Sequence, residues 1–170
     1  MGKIIELFVP GRLCLFGEHS DWAGKHRNVN SKIGKGYAIV TGIEEGIYAN
    51  VTEADDFKII DKTRNEIFEC KMNLKNLKEI ASSGNYWSYT AGVAAAFKEH
   101  YNVSGLEITL TKTTIPVKKG LSSSAAICVL ISRAFNVVYN LQLNTLGEMN
   151  MAYQGEILTP SRCGRLDQAC

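Results

Sequence analysis

Short apolar runs alternate with polar, glycine-containing segments along the first half of the chain, and this pattern predicts β-strands. Ile4–Val9 and Leu13–Phe16 are separated by Pro10-Gly11, so we expect two strands joined by a turn or a bulge. Further strands are expected at Tyr37–Thr41, at Gly46–Thr52, and in a hairpin of Phe57–Asp61 and Glu66–Cys70 around Lys62–Asn65.

Longer patterns with helical spacing occupy the second half. Trp87–Tyr101 carries apolar residues every three or four positions and predicts a helix, whereas Leu106–Thr111 alternates as a half-buried strand does. Ala125–Tyr139 is apolar nearly all round, and Leu146–Leu158 is a more amphipathic helix that Pro160 helps to end. A strand-rich first half, followed by a helix, a strand and two further helices, indicates the α+β class.

Composition narrows the class of protein. The chain has 170 residues, of which 45% are hydrophobic and 21% charged, which is typical of one globular domain and not of a disordered or fibrous chain. A formal net charge of +2 is too small to indicate a nucleic-acid or membrane surface. Five cysteines without a CxxC pair, and no charged-then-apolar leader, predict reduced thiols and a cytoplasmic location. The apolar run Ala125–Ile131 is far below the ~20 residues that cross a bilayer.

A glycine and three serines precede the predicted Ala125–Tyr139 helix. Gly120 permits a turn with positive φ, and Ser122, Ser123 and Ser124 lie where the free N–H groups of a helix start point outward. Such a helix start, with the adjacent lysines, suits a polyphosphate, and a serine hydroxyl can ligate the accompanying magnesium. The alternative is a serine N-cap before a core helix, for which one serine suffices.

Three other classes of site are excluded by inspection. No Gly-Lys pair is followed by serine or threonine, as a Walker loop requires. The sequence from Gly120 to Ser124 is GLSSS, which lacks the second glycine of a nucleophile elbow. Gly34-Lys35-Gly36 begins like a protein-kinase loop, but Ile39 stands where the third glycine belongs.

Three segments, in order, resemble the GHMP kinases, the superfamily of galactokinase, homoserine kinase, mevalonate kinase and phosphomevalonate kinase. Pro116–Ala126, PVKKGLSSSAA, resembles the phosphate-binding PxxxGLxSSAA motif. Pro10–Gly24, PGRLCLFGEHSDWAG, resembles the N-terminal signature in its galactokinase form, and Cys163–Gln168, CGRLDQ, resembles the galactokinase CGxMDQ segment. Together these motifs span nearly the whole chain.

The resemblance implies an N-terminal domain with a ribosomal-protein-S5-domain-2-like α+β core over residues 1–170. It also implies ATP and Mg²⁺ as cofactors, with Asp167 as the catalytic aspartate and Arg12 beside it. The metal ligands implied are Ser124 and Glu156, the latter from its spacing before Asp167. The ATP phosphates would be bound by Lys118, Lys119, Gly120, Leu121, Ser122, Ser123, Ser124 and Ala125, and the substrate by Glu18, His19 and Asp21.

Asp21 and Cys163-Gly164 favour a galactokinase-like sugar kinase, because the mevalonate branch has apolar residues after its GEH and a segment that resembles SGxDN. Two alternatives stay open: a mevalonate kinase-like isoprenoid kinase, and a non-catalytic sugar- or nucleotide-binding fragment. Trp22 replaces a tyrosine of galactokinases, so the resemblance leaves the particular sugar undetermined.

Members of the superfamily are roughly twice this long and have a C-terminal domain that closes the cleft. We therefore expect a C-terminal domain outside this chain, and little or no turnover from the 170 residues alone. We also expect self-association through apolar surface that such a domain would cover, including faces of the helices at Ala125–Tyr139 and Leu146–Leu158.

Overall fold

A five-stranded mixed sheet forms one layer of the molecule. The computed structural model describes residues 3–18, 20, 26–115, 122–161 and 163–169. The strands are β1 (Ile5–Phe16), β2 (Ile39–Ala54), β3 (Phe57–Asp61), β4 (Glu66–Cys70) and β5 (Gly105–Thr113), in the spatial order β1-β2-β5-β3-β4. All pairs are antiparallel except β3 with β5, which run parallel.

In the part of the chain that the structure describes, the longer helices are α1 (Leu74–Ser82), α2 (Ser88–His100), α3 (Ser123–Val138) and α4 (Thr145–Glu156), and a 3-10 turn follows at Leu166–Gln168. Helix α3 contacts β1 and β2, and α2 contacts the other three helices. The observed architecture confirms the predicted α+β class.

Aromatic rings join the helices to the sheet. Phe135 of α3 stacks on Phe97 of α2 with ring centroids 4.7 Å apart, and on Phe57 of β3 at 6.1 Å. All three side chains are fully buried. Aromatic rings bury large apolar areas, so this cluster stabilises the packing of α2 and α3 against the sheet near the β3–β4 hairpin.

The irregularity predicted at Pro10-Gly11 is present as a bulge, but the separate strands predicted on its two sides, and those predicted at Tyr37–Thr41 and Gly46–Thr52, are each one continuous strand. β1 runs through Pro10-Gly11, and β2 runs without interruption from Ile39 to Ala54. The pairing of β1 with β2 shifts in register at this point: Pro10 pairs with Gly46, but Arg12 pairs with Gly42. A bulge of this kind re-aims the following side chain, and Arg12 is directed into the site described below.

The hairpin at Phe57–Asp61 and Glu66–Cys70 and the three predicted helices are confirmed, with shifts of one or two residues at the helix ends. Helix α1 was not predicted. The expectation that the α3 face lies uncovered is also wrong, because most of its apolar residues are buried within the chain, and Val137 is the exception that is exposed. Within the described residues no helix is long and apolar enough to cross a membrane.

Candidate active site

The start of α3 presents backbone N–H groups without a side-chain cap. Ser122 precedes the helix with φ 50° and ψ 47°, and its side chain makes no capping hydrogen bond. Its carbonyl accepts the first helical bond, from the N–H of Ala126 at 2.9 Å. The N–H groups of Ser123, Ser124 and Ala125 therefore have no partner within the helix, which makes this terminus suited to an anion. Lys118, Lys119, Gly120 and Leu121 lie outside the described residues.

A cavity of about 850 Å³ opens beside this helix start. Ser123 and Ser124 lie at its wall, together with Ile127 one turn further along α3. Its other lining residues include Ile47, Ile59, Asp61, Thr63, Arg64, Asn85, Tyr86, Trp87, Tyr89, Thr90, Leu110 and Ile115. An apolar and aromatic cavity with a few polar groups is typical of a small-molecule site.

The turn of the β3–β4 hairpin forms part of the cavity wall. Asp61 is buried, and its Oδ1 accepts hydrogen bonds from the N–H of Thr63 at 2.9 Å and of Arg64 at 3.2 Å, which fixes the turn. The Arg64 guanidinium lies over the Tyr86 ring, 4.5 Å from its centroid. This contact joins the turn to the segment before α2.

These cavity residues were not predicted. Tyr86, Trp87 and Tyr89 are an aromatic cluster at the start of α2. This cluster was the available signal, but aromatic residues at a helix start are as common in a core as in a ligand site.

Arg12, Ser122 and Asp167 form a hydrogen-bonded group at the same helix start. Nη2 of Arg12 donates to Oγ of Ser122 at 2.7 Å and also to Oδ1 of Asp167. Oγ of Ser122 donates to the same Oδ1 at 2.8 Å. The structure thus brings the two predicted catalytic residues into direct contact, with one of the predicted phosphate-loop serines between them.

Arg12 is held by two carboxylates. Its side chain is only 3% exposed, and Nη1 lies 3.4 Å from Oε1 of Glu18. Burial lowers the pKa of Arg12, but the hydrogen bonds and negative charges of Asp167 and Glu18 outweigh burial, so the pKa is raised. Nε of Arg12 is buried and has no hydrogen-bond partner among the described residues. Arg12 therefore stays a cation beside Asp167.

A glutamate on a helix face is usually solvated, but Glu156 is only 2% exposed. Its Oε2 accepts a hydrogen bond from Nε2 of Gln168 at 2.6 Å. Burial raises the pKa of Glu156, with a smaller contribution from the charge of Asp167, while the nearby Ser124 hydroxyl and Cys163 thiol lower it. Glu156 and Ser124, the two predicted metal ligands, are therefore neighbours.

The predicted substrate residues are only partly described. Glu18 is half exposed at the edge of the site, paired with Arg12, whereas His19 and Asp21 lie outside the described residues. In the described part of the chain, no three His, Cys, Asp or Glu residues form a group that could hold a metal by themselves. Any magnesium here would need hydroxyl and phosphate oxygens besides Glu156.

Comparison with known proteins bears on the family to which the chain is similar. Residues 88–170 match the family described as the GHMP kinases N terminal domain. Galactokinase of Clostridium beijerinckii is 32% identical over 167 residues, covering 95% of this chain and 39% of the relative, and galactokinase of Thermotoga petrophila is 27% identical over 161 residues, covering 94% and 41%.

Solved structures show the same fold. Lactococcus lactis galactokinase complexed with galactose superposes with a TM-score of 0.79 at 23% identity, covering 98% of this chain and 41% of that one. Methanococcus jannaschii mevalonate kinase gives a TM-score of 0.69 at 23% identity, covering 93% and 47%. The fold is that of a GHMP kinase N-terminal domain, and the resemblance to this superfamily is confirmed. The chain spans about two fifths of the length of the matched galactokinases.

Proposed function

We propose that this chain is the N-terminal, ATP-binding domain of a kinase that transfers the γ-phosphate of ATP to a hydroxyl of a sugar. The observation that carries the proposal is the contact of Arg12 with Asp167 beside the uncapped start of α3. A carboxylate, a buried cation and an anion-binding helix start meet at one point, which is the arrangement that phosphoryl transfer requires.

The nucleotide fits this part of the molecule. We assign its phosphates to the segment Lys118–Ala125, because the free N–H groups of the α3 start point outward there. Its base and ribose would then occupy the 850 Å³ cavity, whose wall continues from Ser123 and Ser124 to the aromatic residues Tyr86 and Trp87. An apolar cavity adjoining an anion site matches the two halves of a nucleotide.

Ser124 and Glu156 are the proposed magnesium ligands. Their side chains are neighbours, and a hydroxyl and a carboxylate are the hard oxygen donors that this ion prefers. Bound Mg²⁺ would neutralise phosphate charge and polarise the transferred group. Burial raises the pKa of Glu156, and a bound cation would act in the opposite direction.

Asp167 is proposed to orient the acceptor hydroxyl and take its proton, and Arg12 to keep Asp167 ionised and to counter negative charge that develops during transfer. Glu18, His19 and Asp21 are proposed to bind the other sugar hydroxyls. The galactose in the Lactococcus lactis complex supports a hexose as the acceptor.

The remaining part of the proposal concerns the whole protein. Because the chain spans about two fifths of its matched galactokinases, we propose that residues 1–170 are completed by a C-terminal domain and that this domain is needed for ordinary turnover. The free thiols of Cys14, Cys70, Cys128 and Cys163 support the proposed cytoplasmic location.

The test uses the full-length protein with Mg²⁺, ATP and a panel of monosaccharides, sugar acids and mevalonate. We expect phosphorylation of a sugar only, abolished by Asp167→Asn with nucleotide affinity retained, and unchanged by Asp55→Asn at an exposed carboxylate. Turnover of mevalonate alone would contradict the sugar assignment. Nucleotide and sugar binding without transfer to any acceptor would instead identify a non-catalytic binding protein.

A further inference from the structure

Ser122 has a backbone conformation that a serine adopts at a cost. Its φ of 50° and ψ of 47° lie in the left-handed region, where glycine is unstrained and other residues are not. The usual benefit of a serine before a helix is a capping hydrogen bond, which Ser122 does not make. The strain at this position is therefore offset by something other than the stability of α3.

The hydroxyl of Ser122 connects two residues that are remote in sequence. It accepts from Nη2 of Arg12 at 2.7 Å, 110 residues away, and donates to Oδ1 of Asp167 at 2.8 Å, 45 residues away. A hydroxyl has one proton, and here that proton is committed to the carboxylate. Arg12, Ser122 and Asp167 thus form a closed triangle of hydrogen bonds.

We infer that Ser122 is a positioning residue for Asp167, and that its side chain serves the aspartate and not the phosphate. Oδ1 of Asp167 receives bonds from two donors on different elements, which fixes rotation of the carboxylate about its Cβ–Cγ bond. Since the backbone of Ser122 also begins the helix that faces the nucleotide, the same residue sets the distance between the phosphate site and the proton acceptor. This role rests on the proposed function, because it requires Asp167 to act on the acceptor hydroxyl.

Two substitutions separate this role from a structural one. Ser122→Gly removes the hydroxyl and suits the left-handed backbone, so we expect unchanged or greater stability. Ser122→Thr keeps a hydroxyl but places a β-branched residue at positive φ, so we expect lower stability. A positioning role predicts the reverse order of the two variants for function, with the wild type best, Ser122→Thr intermediate and Ser122→Gly worst. Asn140→Gly, at φ 49° after α3, is the matched control for backbone freedom alone.

The first measurement is the exchange rate of the Arg12 guanidinium protons, by NMR of the 170-residue chain. We expect several-fold faster exchange in Ser122→Gly than in the wild type, a smaller change in Ser122→Thr, and none in Asn140→Gly. Unchanged exchange in Ser122→Gly would overturn the inference. This measurement needs no turnover, so it tests the hydrogen bond between Arg12 and Ser122 even if the proposed function is wrong.

The second measurement is steady-state kinetics of the full-length protein. We expect Ser122→Gly to lower kcat about 10–100-fold with the KM values for ATP and sugar nearly unchanged, because a misplaced acceptor slows transfer without weakening binding. Partial recovery of kcat in the less stable Ser122→Thr would support positioning. A raised KM for ATP with unchanged kcat would assign the hydroxyl to the phosphate and contradict the inference, whereas a wild-type protein without turnover would contradict the proposed function.

Discussion

Gly92 of α2 and Gly155 of α4 pack backbone against backbone, and Glu156 follows directly at the end of α4. A Cβ atom added at Gly92 would overlap the carbonyl oxygen of Gly155, and one added at Gly155 would overlap the backbone of Val93. The close approach of these two helices therefore depends on both glycines.

Gly155→Ala is expected to destabilise the chain by about 3 kcal/mol, although alanine is the better helix former, because backbone atoms cannot move aside as a side chain can. Urea unfolding measures the change. Gly34→Ala is the control, since a Cβ at Gly34 meets no atom within 4 Å. Equal stability of Gly155→Ala and the wild type would show that the two helices are not held at this distance.

The Arg12–Asp167 pair is expected to be strongly coupled in stability. Arg12 is 3% exposed, so removal of Asp167 leaves a buried cation with one fewer carboxylate partner, whereas Asp167 is itself 35% exposed. A double-mutant cycle with Arg12→Gln and Asp167→Asn, followed by urea unfolding, should give a coupling of about 1–3 kcal/mol.

The exposed pair of Lys78 and Glu99, 2.8 Å apart, provides the comparison. Solvent screens both of its charges, so a second cycle at this pair should give a much smaller coupling. Similar couplings for the two pairs would mean that Arg12 is solvated and does not hold Asp167.

Much of the fold could be predicted because local patterns decided it. The β3–β4 hairpin follows from alternation on both sides of Lys62–Asn65, and its bounds were correct. Of the turn or bulge predicted at Pro10-Gly11, the structure has the bulge, and β1 continues through it because the partner strand supplies Gly46 opposite Pro10, a compensation that no local pattern reveals. Helix α1 had a usable signal, since the Asn73 side chain caps it and Leu74, Leu77 and Ala81 follow at helical spacing.

The site could be predicted only through the resemblance to a family. Arg12 and Ser122 are 110 residues apart, and nothing in composition or spacing places them together. The burial of Glu156 depends on α2 and on Gln168, which neither helical periodicity nor charge pattern indicates. The cavity residues were missed because Tyr86 and Trp87 look like core residues in the sequence.

Substitutions in the cavity and at its phosphate end should have different effects on nucleotide binding. Ile127→Trp places bulk in the cavity and should weaken adenosine and Mg²⁺-ATP alike, by roughly tenfold or more. Ser124→Ala removes a proposed metal ligand and should weaken Mg²⁺-ATP while leaving adenosine unchanged. Calorimetric titration with the two ligands measures both effects.

Val137→Trp is the control for bulk on the same helix, because Val137 is exposed and lies away from the cavity. It should change neither affinity. A loss of Mg²⁺-ATP binding in Ile127→Trp with adenosine binding intact would exclude the cavity as the site of the base.

Tyr139 should make stability fall at alkaline pH. Its hydroxyl donates to the carbonyl oxygen of Gly105 at 2.7 Å, and burial, with the charge of Glu53, raises its pKa to about 12. Because the folded-state pKa lies above the unfolded value of about 10, the contribution is complete below that pH and is lost as pH rises through 12.

The measurement is urea unfolding of the wild type and Tyr139→Phe between pH 8 and 12. Below about pH 10 the wild type should be more stable by ~1 kcal/mol, the usual net value of a hydrogen bond. The difference should shrink toward higher pH, since phenylalanine has no proton to lose. A constant difference over the whole range would mean that the Tyr139 pKa is not raised.

The 170-residue chain should self-associate through the end of the β1–β2 ladder. Phe16 and Ile39 are directly paired across the two strands and are 71% and 57% exposed, and Tyr37 beside them is also exposed. Adjacent exposed apolar side chains form a patch that association can remove from water. The double substitution Phe16→Ser with Ile39→Thr should therefore shift the chain toward monomer, as measured by sedimentation velocity. Val29→Thr, at an exposed residue outside this strand pair, should leave the distribution unchanged. If Val29→Thr raises the monomer fraction as much as the double substitution does, association does not depend on the Phe16–Ile39 pair.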